Sequence, residues 1–396
     1  MPFCGQYPSG DVSPMTSVIA HIRDGVSALC KDFPGPYWQE LDRTNCYPTE
    51  FVDALTRAGY LAALIPEPYG GSGLGLQEAC AILEEISKSG GHPGACHAQM
   101  YVMGTLLRHG SDAQKQAYLP EISRGKLRLQ AFAVTEPDAG SDTTRITTRA
   151  DRDGNSYRIN GRKIWISRVE HSDLMILLAR TSKRDDNNRT AGLSVFLIDL
   201  RDAIGNGLTV TPIRTMMNHH TTELVFDDLK VPADSLIGKE GEGFRYILDG
   251  MNAERILIAA ECIGDARFFI SKATEYAKSR TVFERPIGQN QGVQFPIARA
   301  YVETEAAALM VDKAAKLFDR REPCGSEANM AKLLAADASW KAADMCIQIF
   351  GGAGFAADYD IERKFRETRL YQVAPLSTNL ILSHLAVHDL GLPRSY

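Results

Sequence analysis

Four short stretches carry residues able to do chemistry. AVTEPDAGSDTT (133–144) ends a period-two run in Thr135, Glu136 and Pro137, then turns through Gly140, Ser141 and Asp142. Such a turn leaves backbone N–H groups free for a ligand, and equally fits an ordinary loop. KIWIS (163–167) sets Trp165 beside Ser167, an aromatic to stack on a planar ring and a hydroxyl to bond the ring's polar edge. DGMNAERILIAAE (249–261) puts Glu254 three residues after Met251 and four before Ile258. That is an apolar helical stripe, where an unpaired carboxylate is costly and its basicity raised. A salt bridge, or a solvated helix face with Arg255 turned to another partner, is the competing reading; Glu261 shares the face. YQVAPLSTNLIL (371–382), shortly after FGGAGF (350–355), offers hydroxyls and an amide but no acid, base or strong nucleophile. A site there holds a ligand without converting it.

These stretches need a scaffold, and the hydrophobic period changes twice along the chain. VIAHIRDGVSALC, EFVDALTRAGYLAAL, LQEACAILEEISKSG and HAQMYVMGTLLRHG repeat apolar residues every three or four positions and predict helices between about Val18 and Gly125. PEPYGGSGLG (66–75) and GGHPG (90–94) separate them. From Gln130 to Pro232 the period is two, in QAFAV, YRINGRKIWIS, LMILLA, LSVFLI, LTVTPI and ELVF, with 180–192 a polar loop. Asn160-Gly161 reads as a hairpin turn, because both residues tolerate positive φ. Four helical runs follow, over 244–280, 296–319, 328–350 and 377–391. The expectation is an α+β chain: an N-terminal helical domain (1–128), a middle β-barrel-like domain (129–238) and a C-terminal four-helix bundle (239–396).

Composition excludes several classes. Over 396 residues, 44% hydrophobic and 23% charged is an ordinary globular balance, and a net charge of -5 gives no bulk reason to bind nucleic acid. The first twenty residues lack a basic start and a long apolar core, and no later apolar run approaches a bilayer span, so neither export nor a membrane span is expected. Eight scattered cysteines without a C-x-x-C pair read as reduced thiols of a cytoplasmic protein. GGSGLG misses the dinucleotide and hydrolase registers, since Leu76 and Leu74 fall where the last glycine is needed. His219-His220 lack a second ligand pair, so they read as strand-flanking surface or cleft residues and no metal is expected.

Taken in order with SRTVFERPIGQNQ (279–291) and QIFGGAGF (348–355), these motifs resemble the acyl-CoA dehydrogenase flavoprotein family from about residue 15 to 390. The resemblance implies FAD, its ring between the β domain and the C-terminal helices. Val134, Thr135, Trp165 and Ser167 would line the ring, and Gly140 and Ser141 border the ring and the pantetheine channel. Arg280, Phe283 and Gln291 match a segment that a neighbouring subunit offers to the pyrophosphate and adenosine, with Gly351 and Gly352 admitting close backbone. A homotetramer or homodimer is therefore implied. Ser377 and Asn379 keep the spacing of a flavin-contacting hydroxyl and amide.

The family's Y-x-x-Y-E-G-T segment, aligned on Tyr371, puts Pro375 where a catalytic glutamate stands. The isovaleryl-CoA and long-chain branches, which this chain resembles, carry that glutamate just before an arginine on the first long C-terminal helix. Here that is Glu254, with Arg255 shaping the substrate pocket and Glu261 the spare candidate. The implied reaction removes the α-proton of an acyl-CoA to Glu254 and the β-hydride to flavin N5, leaving a trans-2-enoyl-CoA. Electron-transfer flavoprotein is the implied acceptor. Proline lacks the N–H that the family aims at the thioester oxygen, so Ala374 or Leu376 must donate instead, or oxyanion stabilisation is weaker. That departure leaves room for desulfination or monooxygenation on the same fold, or for a catalytically idle subunit of a hetero-oligomer. Residues 97–107 and 246–251 border the acyl tail without fixing its length.

Overall fold

The computed structural model describes residues 14–394; Cys4 lies outside the described residues. Six helices come first: α1 (Pro14–Cys30), α2 (Gly35–Thr44), α3 (Thr49–Arg57), α4 (Leu76–Lys88), α5 (Gly94–His109) and α6 (Asp112–Ser123). The helix expected over 50–64 stops early, because Gly59 takes φ 81° and the chain continues as a single 3-10 turn, Tyr60–Ala62. α4 starts against the last third of the chain. The N–H groups of Leu76 and Gln77 donate to the Asp319 carboxylate at 2.6 and 3.1 Å, which satisfies orphan donors at the positive end of the helix.

The middle segment holds β1 (Leu129–Ala133), β2 (Arg149–Asp153), β3 (Ser156–Ser167), β4 (Leu174–Arg180), β5 (Leu193–Asp199), the one-turn helix α7 (Leu200–Ala203), β6 (Leu208–Pro212), β7 (Thr221–Pro232) and β8 (Leu236–Ile237). Their order is β6-β7-β3-β2-β4-β5-β8, with β1 parallel on β4, so among the described residues the ladder is an open path. The hairpin expected at Asn160-Gly161 is not there. β2 turns into β3 through Gly154-Asn155, whereas Asn160-Gly161 is a bulge inside β3 where the register against β7 shifts. A side chain at Gly161 would meet Thr148 Cα at 2.6 Å, so close approach to the neighbouring backbone, and not a reversal, is what this glycine serves.

The last segment is built on α8 (Gly243–Ser279), α9 (Gln291–Asp319) and α10 (Gly325–Phe350), followed by α11 (Ile361–Thr368) and α12 (Thr378–His388). A two-stranded turn, β9 (Thr281–Val282) with β10 (Arg285–Pro286), joins α8 to α9. Helix α8 is central: it packs on α10, α9, α4 and α5 and touches the sheet at β5. Every residue from Ile256 to Ala266 is buried, which a helix surrounded on all sides requires. Three acids on it, Glu254, Glu261 and Asp265, are therefore carried away from water together.

Candidate active site

A cavity of about 1850 Å³ opens between the sheet, α5, α8 and the segment 366–388. The sheet side is set by one buried ion pair. Lys163 on β3 donates to the Val134 carbonyl at 2.8 Å and meets Glu136 Oε1 at 3.0 Å, while Glu136 also accepts the N–H groups of Thr147 and Thr148. Burial pulls Lys163 down to about 8 despite Glu136; burial alone would raise Glu136, but the Lys163 charge and the threonine donors hold it below its ordinary value. The pair is thus charged at neutral pH, and breaking one partner of such a pair costs roughly 3–5 kcal/mol. The same latch aligns the chain: Ile164 N–H donates to the Thr135 carbonyl at 3.0 Å. There β3 bulges a second time, and Trp165 sits at φ 64° with 58% of its surface exposed. A large aromatic held open in a strained conformation beside Ser167 and Thr135 is the mark of a ring-binding wall.

On the helical side, Met251, Glu254, Arg255, Ile258 and Glu261 line the cavity from α8, facing His97, Ala98 and Tyr101 of α5. The three buried acids of α8 differ in their partners. Asp265 lies 2.6 Å from Lys364 Nζ, itself fully buried. Glu261 accepts the Tyr371 hydroxyl at 3.1 Å and lies 3.0 Å from His97 Nδ1. Glu254 is 8% exposed, and among the described residues its carboxylate makes no hydrogen bond or ion pair. Burial pushes it up to about 7, with His97 and Arg255 opposing. The Arg255 guanidinium is engaged by Asn252 Oδ1, and its Nε is buried without a partner.

The third wall is 371–377. Ala374 N–H is already donated to the Leu370 carbonyl at 3.0 Å. Leu376 lines the cavity, its N–H has no acceptor among the described residues, and its carbonyl is held by the buried Lys332 Nζ at 2.8 Å. Ser377 caps α12 by accepting from Leu380 N–H at 3.3 Å.

Val134, Thr135, Gly140, Ser141, Trp165, Ser167, Glu254, Arg255 and Ser377 therefore share one cavity. Asn379 is exposed on α12 and off its wall. Arg280, Phe283, Gln291, Gly351 and Gly352 are exposed at the far end of α8, α9 and α10. From Glu254 to Arg280 the helix runs 26 residues, or ~39 Å, so these groups cannot reach the cavity of their own chain. Of the paired histidines, His219 is on the cavity wall, and His220 packs against His171 and Tyr47 instead. Sequence reasoning missed Lys163, Lys332 and Arg168. The signal for Arg168 was present: a basic residue directly after the Trp165–Ser167 strand.

A sheet carrying an open aromatic and a hydroxyl, set against a helix carrying an uncompensated carboxylate, defines a site for proton removal beside a planar cofactor. The acyl-CoA dehydrogenase N-terminal, middle and C-terminal domain families match residues 18–126, 131–229 and 241–379. The chain is 34% identical over 380 residues to acyl-CoA dehydrogenase FadE12 of Mycobacterium tuberculosis, covering 95% of this chain and 96% of that protein. Among solved structures, the glutaryl-coenzyme A dehydrogenase glutaryl-CoA complex superposes with a TM-score of 0.89 at 30% identity, covering 98% of each chain. Butyryl-CoA dehydrogenase from Megasphaera elsdenii gives 0.86 at 28% identity, covering 96% of this chain and 98% of that one. The chain belongs to the acyl-CoA dehydrogenase family and is an FAD-dependent oxidoreductase acting on acyl-CoA thioesters. Among the described residues no helix is long and apolar enough to cross a membrane.

Proposed function

We propose that Glu254 is the base that takes the α-proton of the acyl-CoA, giving the trans-2-enoyl-CoA. The observation that carries this is the difference among the acids of α8: Glu261 and Asp265 are occupied, and Glu254 alone is buried, unpartnered and open to the cavity. A carboxylate raised to about 7 is matched to proton abstraction near neutral pH. FAD, when bound, accepts two electrons together with the β-hydrogen. The residues fit it: Trp165 and Ser167 offer a stacking face and a polar partner, and a Cβ at Gly140, Gly351 or Gly352 would meet nothing within 4 Å of its own chain, leaving those backbones open to a ligand. Of the two amides able to replace the one missing at Pro375, Ala374 is consumed, so Leu376 N–H is the donor to the thioester oxygen.

We further propose that Arg280, Phe283, Gln291, Gly351 and Gly352 complete the cavity of a second copy, in a homodimer or a homotetramer. Phe283 is 94% exposed, and Phe295, Tyr301, Val302 and Leu309 extend an exposed apolar face along α9, both of which support self-association. Electron-transfer flavoprotein is the proposed acceptor. A cytoplasmic location fits seven free cysteines among the described residues. Anaerobic titration of the flavin-loaded protein with straight and branched acyl-CoAs tests the core of this reading. Bleaching of the flavin in wild type but not in Glu254→Gln is expected. Bleaching in both rejects Glu254 as the base, and bleaching in neither favours another chemistry or an idle subunit.

A further inference from the structure

Arg168 is the only arginine or lysine of the cavity wall that is buried among the described residues, at 6% exposure, and proton removal by Glu254 makes no use of it. Its backbone is pinned at φ 59°, its N–H donating to the His220 carbonyl and its carbonyl accepting from Ser172 Oγ, each at 2.8 Å. A non-glycine residue held there at a cost of roughly 1 kcal/mol or more needs a compensating reason. Among the described residues the guanidinium makes one side-chain hydrogen bond, Nη2 donating to His219 Nδ1 at 3.2 Å. Among the described residues no carboxylate lies within 4.0 Å of it. The acid whose field it feels is Glu261, already held by Tyr371 and His97.

Beyond Glu261, the α5 side of the surroundings adds positive potential. A Cβ on Gly94 would come within 2.0 Å of Arg168 Nη2, so the guanidinium fills the space that glycine leaves at the first residue of α5. That helix has no acid in its first turn, and its positive end lines the cavity through Gly94 and His97. Burial keeps His219 well below its ordinary value and His92 at about 4, so both rings are neutral. A buried guanidinium without an anion is costly, and an anion delivered with the substrate offsets that cost. Gly94 lies one turn before His97 on α5, and His97 meets Glu261, two turns along α8 from Glu254; Arg168 therefore lines the cavity near Glu261, beyond Glu254.

We propose that Arg168 is a specificity-determining residue that binds a carboxylate at the far end of the acyl group, making ω-carboxyacyl-CoA thioesters the favoured substrate class. The planar guanidinium suits a carboxylate in two parallel hydrogen bonds. The inference rests on the reading in which Glu254 meets the α-carbon in this cavity.

The test compares ω-carboxyacyl-CoAs with uncharged acyl-CoAs of equal chain length, in wild type, Arg168→Met and Arg168→Lys, by flavin bleaching and by kcat/KM. Wild type is expected to favour the ω-carboxylate by about 10- to 100-fold. That ratio collapses toward one in Arg168→Met and falls part of the way in Arg168→Lys. A wild type without the preference overturns the proposal. So does an Arg168→Met ratio equal to that of wild type, which is the result if the guanidinium serves the flavin or the fold. Should Arg168→Met fail to hold FAD, Arg168→Lys decides alone, and an unchanged ratio there sinks the assignment. Bleaching by no thioester at all would instead reject the dehydrogenase reading beneath it.

Discussion

Two places on one face of α8, eleven residues apart, bury charge, and they meet its cost in different ways. At Asp265 the answer is closure. Lys364 and Arg363 of α11 are met by Asp265, Glu367 and Asp360 at 2.6–3.0 Å, and their remaining donors go to the carbonyls of Gly90 and Gly91. Glu367, which burial alone would raise, is brought down to about 2 by Arg363 and Lys364. At Glu254 the charge is left open: no donor of the described chain meets the carboxylate, and burial raises it to about 7. Burial pushes Asp265 up to about 7 as well, with Lys364 opposing, so a raised carboxyl does not by itself set Glu254 apart. What separates the two is that Asp265 meets Lys364 and lies off the cavity wall, whereas Glu254 has no partner among the described residues and lines it.

The strongest break in that comparison is removal of the open carboxylate. Glu254→Gln is expected to lower kcat by roughly 10³- to 10⁴-fold while the protein still folds and holds FAD, since a positioned base contributes on that scale. In wild type, kcat/KM should rise with pH through about 7 and then level as the carboxylate forms, read from steady-state rates. A flat profile from pH 6 to pH 8 would show that a different group limits the rate. The matching change in the closed cluster acts on stability. Lys364→Met strands Asp265 and one oxygen of Glu367, and is expected to cost roughly 3–5 kcal/mol in denaturant unfolding. Activity per molecule of bound flavin should stay near that of wild type, because Lys364 is not on the cavity wall.

A third comparison separates the two roles of Glu254. Its folded pKa of about 7 lies above the 4.5 of an exposed glutamate, so the folded state binds a proton that the unfolded state releases. The stability this contributes is fully present below about pH 4.5 and is lost as pH rises through 7, where the buried carboxylate must charge. Glu254→Gln carries no such titration. Relative to wild type it should therefore gain stability from pH 5 to pH 8, by up to ~3 kcal/mol, in paired denaturation curves on the flavin-loaded proteins. No change in the difference between the two proteins would mean that the carboxylate finds a partner in solution.

Much of this was legible before any coordinates. The near-continuous apolar runs at 174–179 and 193–198 encode strands buried on both faces, and the three- and four-residue spacing of 251, 254, 258 and 261 encodes one helix face; the first build the core and the second lines the cavity. The reversal at Asn160-Gly161 was misread because a local turn preference competes with strand pairing. β7 supplies partners on both sides of that dipeptide, so the chain bulges and runs on. The latch of Lys163 on Glu136, the hold of Lys332 on Leu376 and the burial of Arg168 were not legible, since each depends on which segments meet across 27 to 51 residues. A lysine inside a strand reads as a solvated face until its partner is known. The five residues at the far end of the long helices are the reverse case: their types suggested a cofactor, and helix length alone separates them from their own cavity.

Glu261 sharpens the comparison with the smallest expected effect. It shares the face and the depth of Glu254, and lines the same cavity, but like Asp265 it is occupied. If partners decide the role, Glu261→Gln should behave as a structural change. The amide can still accept the Tyr371 hydroxyl, so about 1 kcal/mol of stability is the expected loss. The rate should fall by less than about 10-fold, against roughly 10³ or more for Glu254→Gln, because the proton still has its acceptor. Thermal melts and single-turnover flavin reduction on the same preparations give both numbers. Were Glu261→Gln to abolish reduction while Glu254→Gln did not, Glu261 would be the base. The tyrosine and histidine around it would then be the groups that orient a catalytic carboxylate, and the unpartnered Glu254 a bystander on the cavity wall.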